Sequence, residues 1–352
     1  MSDTGVTESV ACARLGEWFE REKRALPWRE TCDPFAIWVS EAMLQQTRVE
    51  TVIPYYQRFL ARFPNVAALA DAPLEDVLSL WSGLGYYRRA RTLHAAARTV
   101  VERHGGVFPR SHAEILELPG VGPYTAGAVA SIAFDEPAPL VDGNVARVFA
   151  RWFGVDSLQE SRAFREATWD IARRLVSSVK RPGEWNQALM ELGATVCTPR
   201  EPKCGECPLR IACRAFAEGR VEALPRPKSR RASIQVELST LVVRESGRLL
   251  VRERQGHERM AGLFELPTVE TSGSEHVAAR SFGALELAEI DALGVVSHTI
   301  THHRIRARVA TGRLVRGTVS TPFRLADGAE FANLPVTGMT KKIVARGWTA
   351  GA

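Results

Sequence analysis

Up to about residue 220 the apolar positions recur at helical spacing, in stretches such as Asp76–Leu80, Leu93–Val101 and Phe164–Val176. Beyond residue 233 the period shortens to two. Ile234, Val236 and Leu238 alternate with Gln235, Glu237 and Ser239, and Ile305, Ala307 and Val309 alternate with Arg304, Arg306 and Arg308. Gly247 falls between Leu241-Val242-Val243 and Leu249-Leu250-Val251, where a hairpin turn is expected. Between the two patterns lies Leu224-Pro225-Arg226-Pro227-Lys228-Ser229-Arg230-Arg231. Its prolines block regular structure and its charges keep it solvated. The expected organisation is a multidomain chain: an all-α domain over residues 9–218, a basic proline-containing linker over 219–233, and a smaller α+β domain over 234–348.

The length of 352 residues agrees, because one ordinary core rarely serves so long a chain. Hydrophobic residues at 45% and charged residues at 24% exclude a disordered or collagen-like chain. The longest apolar runs, such as Ala126–Phe134, are too short to span a membrane. Asp3, Glu8, Glu17 and Glu20 near the N-terminus argue against a signal peptide, so a cytoplasmic monomer is expected, nucleoid-associated if bacterial. The net charge of +6 suits a polyanionic partner. Much of that excess sits in residues 220–232, where five basic residues stand against Glu222 alone.

Four of the six cysteines, Cys197, Cys204, Cys207 and Cys213, are separated by six, two and five residues. Without an export signal a disulfide framework is not expected, so the four thiols point to a metal or cluster site. Zinc and a [4Fe–4S] cluster both accept four thiolates, and the chemistry alone does not choose between them. Cys12 and Cys32 lie apart and are read as core or surface residues.

Ser111 and Glu114 form a capping-box signature ahead of Ile115, Leu116 and Leu118. Then come Leu118-Pro119-Gly120-Val121-Gly122-Pro123 and a second helix over Tyr124–Phe134. Two helices joined by Gly-x-Gly leave N–H donors at the second helix's start, where a phosphate fits.

These residues carry a resemblance. Leu118-Pro119-Gly120-Val121-Gly122, Val141-Asp142-Gly143-Asn144-Val145 and the cysteine spacing together resemble the helix-hairpin-helix DNA glycosylases with an iron–sulfur cluster. Trp38-Val39-Ser40-Glu41-Ala42-Met43-Leu44-Gln45-Gln46-Thr47 and Ser82-Gly83-Leu84-Gly85-Tyr86-Tyr87 resemble the MutY-type adenine glycosylases within them. The resemblance implies a [4Fe–4S] cluster on the four cysteines and double-stranded DNA with 8-oxoguanine:A or G:A mispairs as partner. It implies removal of the adenine to leave an abasic site.

Adenine leaves deoxyribose more easily once a ring nitrogen is protonated, and the sugar then carries positive charge. One protonated and one ionised carboxyl meet both needs. Glu41 shares a helix face with Ile37 and Leu44, so desolvation favours its protonated form. Asp142 precedes an expected helix over Val145–Phe153, where N-capping favours the anion. The resemblance assigns both roles and places Asn144 and Tyr124 beside them. Glycosylases of this kind that also cut the backbone carry a nucleophilic lysine where Tyr124 stands, so base removal without strand cleavage is expected.

By the same resemblance Gln46 and Tyr86 wedge into the base stack, with Leu44, Thr47 and Leu84 nearby, while Arg24, Leu26, Trp28 and Arg29 belong to the adenine pocket. Arg88, Arg89 and Arg91 follow Tyr86, as suits a stacking residue flanked by phosphate contacts. Arg200, Lys203 and Arg210 are expected to face phosphate from the cysteine loop. Gly262-Leu263-Phe264-Glu265-Leu266-Pro267 is Nudix-like, but no acidic metal-binding helix follows, so this domain reads as a recognition module. Val296-Ser297-His298 resembles a Phe-Ser-His loop that contacts the oxidised guanine, with Ser297 and His298 matching and Val296 departing. Three readings compete: an endonuclease III-like glycosylase/lyase for oxidised pyrimidines, a non-catalytic Fe–S or zinc DNA-binding protein, and a Nudix nucleotide hydrolase.

Overall fold

A computed structural model describes residues 4–227, 233–256, 258, 260–271, 279–282, 285–300 and 302–347. The chain divides into two compact units, residues 1–72 with 92–229, and residues 73–91 with 230–352.

The first unit is helical. Its core joins Leu15 and Phe19 of the Thr4–Glu22 helix to Val145, Phe149 and Trp152 of Gly143–Phe153 and to Trp185, Leu189 and Leu192 of Pro182–Thr195. The helix ends follow local chemistry. Asp33 caps Pro34–Leu44 by accepting from the Phe35 N–H, and proline stands at that helix's first position, where its missing N–H costs nothing. Ser111 and Glu114 close the expected capping box ahead of His112–Leu116. The hairpin turn then returns the chain through Gly120, whose φ of 72° suits glycine, and an added Cβ there would meet Thr92 Cβ at 2.5 Å. Gly122 caps Pro123–Phe134, and Pro123 at the first position removes one of the N–H donors expected there.

The stretch read as a solvated linker is docked, as far as it is described. Leu224 is buried and its carbonyl accepts from Arg151 Nε at 2.9 Å. Asp156 holds both Arg220 and Arg226, and Arg226 pairs with Leu158 in an isolated β-bridge. One buried leucine and two ion pairs outweigh the solvation expected of the charges. Lys228, Ser229, Arg230 and Arg231 lie outside the described residues.

The second unit carries the Leu74–Leu80 helix and a sheet. Its strands are β1 (Ile234–Glu245), β2 (Arg248–Glu253), β3 (Phe264–Glu265), β4 (Thr268–Glu270), β5 (Ala279–Phe282), β6 (Leu285–Ile300), β7 (His303–Arg316) and β8 (Phe323–Ala326). The order is β3-β2-β1-β7-β6-β5, with β4 added to β1 and β8 to β2. The two alternating runs singled out in the sequence become β1 and β7 and lie parallel, Val236 opposite Ile305 and Leu238 opposite Ala307. Ser246 and Gly247, both at positive φ, make the two-residue turn between β1 and β2. One sheet face packs Val242, Val296, Ala307 and Val309 against Met339 and Ile343 of the Gly338–Ala345 helix. After the Nudix-like stretch the chain continues as β4, paired with β1. Ser272 and Gly273, in the stretch where an acidic helix would stand, and Trp348 at the expected domain end lie outside the described residues. Among the described residues no helix is long and apolar enough to cross a membrane.

Candidate active site

A cavity of about 510 Å³ opens in the first unit between the Pro34–Leu44, Pro123–Phe134 and Pro182–Thr195 helices and the start of Gly143–Phe153. Ile37, Glu41 and Leu44, one face of one helix, all line it. Arg24, Leu26, Trp28, Arg29, Gln46, Thr47, Tyr124, Asp142 and Asn144 line it as well, so most of the residues singled out in the sequence meet at one place.

Glu41 is 5% exposed and burial pushes its carboxyl up to about 7, with the nearby Asp142 pushing the same way. The opposing influences are weaker. Tyr124 Oη donates to Glu41 Oε2 at 2.6 Å, and Arg29 contributes some positive potential. Met190 Sδ lies 3.3 Å from the same hydroxyl.

Asp142 caps Gly143–Phe153, as expected. Its Oδ1 accepts the Val145 N–H at 2.7 Å and its Oδ2 accepts Asn144 Nδ2 at 3.0 Å. Burial raises its pKa above the usual aspartate value, while these donors and Arg147 pull it down. Both carboxyls line the cavity, burial raises each, and Asp142 raises Glu41 further. The groups donating to Asp142 give it the better claim to the charge, which leaves the proton to Glu41.

A third carboxylate was not legible in the sequence. Glu191, 1% exposed, accepts Arg24 Nε at 2.8 Å and Nη2 at 2.9 Å, and Arg29 Nη2 at 2.8 Å. These partners outweigh its burial and hold the carboxyl down at about 2. It fixes both arginines at the cavity wall. Nothing in the local pattern of Leu189-Met190-Glu191-Leu192 announces partners 162 and 167 residues away. A buried position on an apolar helix face was the only signal. Trp28 packs edge-on against Tyr56 with ring centroids 5.4 Å apart, so its indole forms part of a rigid wall.

Behind Asn144 stands Arg147, a second residue whose part no local sequence pattern announces. It donates to Asn144 Oδ1 at 2.8 Å, to the Gly193 carbonyl at 2.7 Å and to the Cys197 carbonyl at 2.8 Å. Gly193 allows the approach, since a Cβ there would meet Asn144 Cβ at 2.6 Å. One turn later Arg151 donates to the Thr198 carbonyl at 2.7 Å and touches Cys197 Sγ at 3.5 Å.

Cys197, Cys204, Cys207 and Cys213 surround a small space of about 20 Å³ walled by Val196, Pro202 and Phe216. Burial pushes the Cys207 thiol up to about 12 and raises Cys204 and Cys213 too. Four mutually close thiols in an apolar pocket suit a cationic centre that lowers those values by ligation. No three His, Cys, Asp or Glu side chains among the described residues are already drawn to ligating positions. Cys12 packs against the main core and Cys32 is exposed.

The remaining candidates lie elsewhere. Gly120, Val121 and Gly122 form the hairpin turn, where the Val121 N–H bonds the Leu118 carbonyl at 3.0 Å. Leu84 and Tyr86 belong to the second unit, Leu84 buried and Tyr86 47% exposed. Gln46 and Tyr86, the two expected wedges, both hold left-handed backbone, at φ of 59° and 50°. That strained conformation in non-glycine residues clusters at functional positions.

Val296, Ser297 and His298 do not form a loop. They lie inside β6, opposite Ala307, Arg306 and Ile305. Val296, where the family loop has an aromatic, is fully buried in the core. Successive residues of a strand face opposite ways, so Ser297 and His298 stand on different faces of the sheet.

Residues 39–174 match the HhH-GPD superfamily of base excision DNA repair proteins, and residues 239–346 match the NUDIX domain. The chain is 38% identical to the Mus musculus adenine DNA glycosylase, over 94% of its own length and 76% of that protein's. Against the Homo sapiens adenine DNA glycosylase the figures are 36%, 94% and 72%. Among solved structures, a thermostable thymine-DNA glycosylase aligns with 62% of this chain and 100% of its own, at 29% identity and a TM-score of 0.55. An endonuclease III in a non-covalent DNA complex aligns with 62% of this chain and 99% of its own, at 22% identity and a TM-score of 0.51, a likeness of fold.

Proposed function

The chain belongs to the adenine DNA glycosylase family, and we propose that it hydrolyses the N-glycosidic bond of adenine paired with 8-oxoguanine or guanine, leaving an abasic site. The observation that carries this is the pairing of Glu41, raised to about 7, with the N-capping Asp142 across one cavity.

The base reaches that cavity only by leaving the duplex stack. Glu41 gives its proton to a ring nitrogen as the bond to the sugar breaks, and the bonding electrons leave with the base. Asp142 balances the positive charge that develops on the sugar, or bonds to it transiently, before water adds there and gives up a proton, which restores the Glu41 carboxyl. Tyr124 holds the Glu41 carboxyl in place, and Asn144 does the same for Asp142. Glu191, through Arg24 and Arg29, keeps a wall of fixed donors at the base edge. Among the described residues no lysine lines the cavity, so the site offers no amine for a Schiff base. That favours base removal over the glycosylase/lyase reading. Gln46, Thr47, Leu44, Leu84 and Tyr86 act on the stack, and the Gly120-Val121-Gly122 turn takes a phosphate. Of Ser297 and His298, which stand on opposite faces of β6, Ser297 is the one assigned to the oxidised guanine.

The four cysteines fit a [4Fe–4S] cluster, which supplies a rigid cross-link to the loop over residues 197–213. Arg147 and Arg151 then tie that loop to the helix capped by Asp142.

The test uses end-labelled duplexes with A opposite 8-oxoguanine, G or T under single-turnover conditions. Alkali-dependent cleavage of the A strand, fastest opposite 8-oxoguanine and absent opposite T, is expected. Cleavage without alkali would reveal a lyase, and no cleavage by cluster-loaded protein would leave a binding module.

A further inference from the structure

The sheet of the second unit has two unlike faces. One is apolar along its length, from Leu238 and Ile305 through Val242, Val309 and Val296. The other changes character midway along β7. Leu241, Val243, Ala310 and Leu314 bury its far half in a separate core with Phe323. Its near half carries Arg304, Arg306 and Arg308 at alternate positions, hence on one side of the strand. Arg304 and Arg306 are exposed.

The strand register adds the neighbours. Across β6, Thr299, Ser297 and Val295 stand opposite Arg304, Arg306 and Arg308. Across β1, Gln235, Glu237 and Ser239 do the same. Directly paired residues share a face, so Ser297 belongs to the arginine face, where Glu237 is the one acid among these neighbours. His298, opposite Ile305, belongs to the other face, where its ring lies against Gly338.

We propose that the half-face of Arg304, Arg306 and Arg308 beside Ser297 is a docking surface for the DNA phosphate backbone. The proposal rests on the reading of this chain as a DNA glycosylase. Alternate strand residues stand about 6.7 Å apart, so the three arginines leave the strand at regular spacing on one face. A sheet face that could have continued its apolar core carries this row instead. Phosphate contacts of this kind position a protein on a duplex and carry no sequence information. Ser297, in the same row, is then the residue on this face placed to read a base. His298 acts from the opposite side of the sheet, as packing against the Gly338–Ala345 helix.

The experiment compares the wild type with Arg304→Gln/Arg306→Gln. A charge-matched control, Arg244→Gln/Arg248→Gln, removes two arginines at the β1–β2 turn. Binding is measured against salt on a duplex with 8-oxoguanine opposite 2′-fluoro-deoxyadenosine, which resists excision. Each lost phosphate contact lowers the slope of log Kobs against log salt by about 0.9, so the double variant should be shallower by about 1.8. The control should keep the wild-type slope, and Arg304→Lys/Arg306→Lys should restore it. The excision rate at saturating enzyme should not change. A slope equal to wild type, or an equal change in the control, overturns the proposal. Failure of the glycosylase reading shows differently, as a wild type that binds but never excises adenine.

Discussion

Glu41 and Glu265 are buried to nearly the same degree, 5% and 3% exposed, one in each unit, and burial raises the pKa of both. Their surroundings differ in kind. Glu265 accepts from Arg252 Nη1 at 3.0 Å and from Arg254 Nη1 at 2.5 Å, and Arg252 also reaches Glu258. Glu41 meets the neutral hydroxyl of Tyr124 and is raised further by a second carboxyl, Asp142, that lines the same cavity. Two guanidinium groups commit Glu265 to a structural ion pair. A hydroxyl and an anion leave Glu41 holding a proton that it can give away. In the proposed mechanism the neighbours, and not burial alone, set Glu41 apart as the acid. The acid of the Nudix-like stretch is tied to two arginines, and the chain continues past Pro267 as β4.

Substitutions can break this comparison. Glu41→Gln should lower the single-turnover excision rate by about 10²- to 10⁴-fold, the usual contribution of a general acid, with unchanged far-UV circular dichroism. Asp142→Asn keeps a good cap but removes the charge, and about 10²- to 10³-fold should be lost, read in the same assay. Tyr124→Phe deletes a hydrogen bond that favours the ionised Glu41. The Glu41 pKa should therefore rise, and the alkaline limb of the pH–rate profile should move up by about one pH unit. Glu265→Gln should leave the rate at saturation unchanged while destabilising the second unit by about 1–3 kcal/mol, read by urea denaturation.

The places of the two carboxyls were legible from local pattern, Glu41 on an apolar helix face and Asp142 one step before a helix, while the roles proposed for them came from the family resemblance. The same legibility holds for β1 and β7, whose period of two survives into the sheet. Glu191 and Arg147 were not legible, because their roles depend on partners brought close only by the packing of distant helices. Leu224 and Arg226 misled for a related reason. Their prolines and charges describe a linker, but the buried Leu224 and the paired Asp156 that dock them are tertiary facts. The Ser297–His298 segment resembles a family loop in its motif but lies within β6, where pairing with β7 fixes it.

The central claim is that Glu41 keeps its proton near neutrality. The direct test is the single-turnover rate of adenine excision opposite 8-oxoguanine measured from pH 6 upward. Because the protonated form is the active one, the rate should hold up to about 7 and then fall roughly tenfold per pH unit. A rate that stays level or rises through pH 9 would contradict the account.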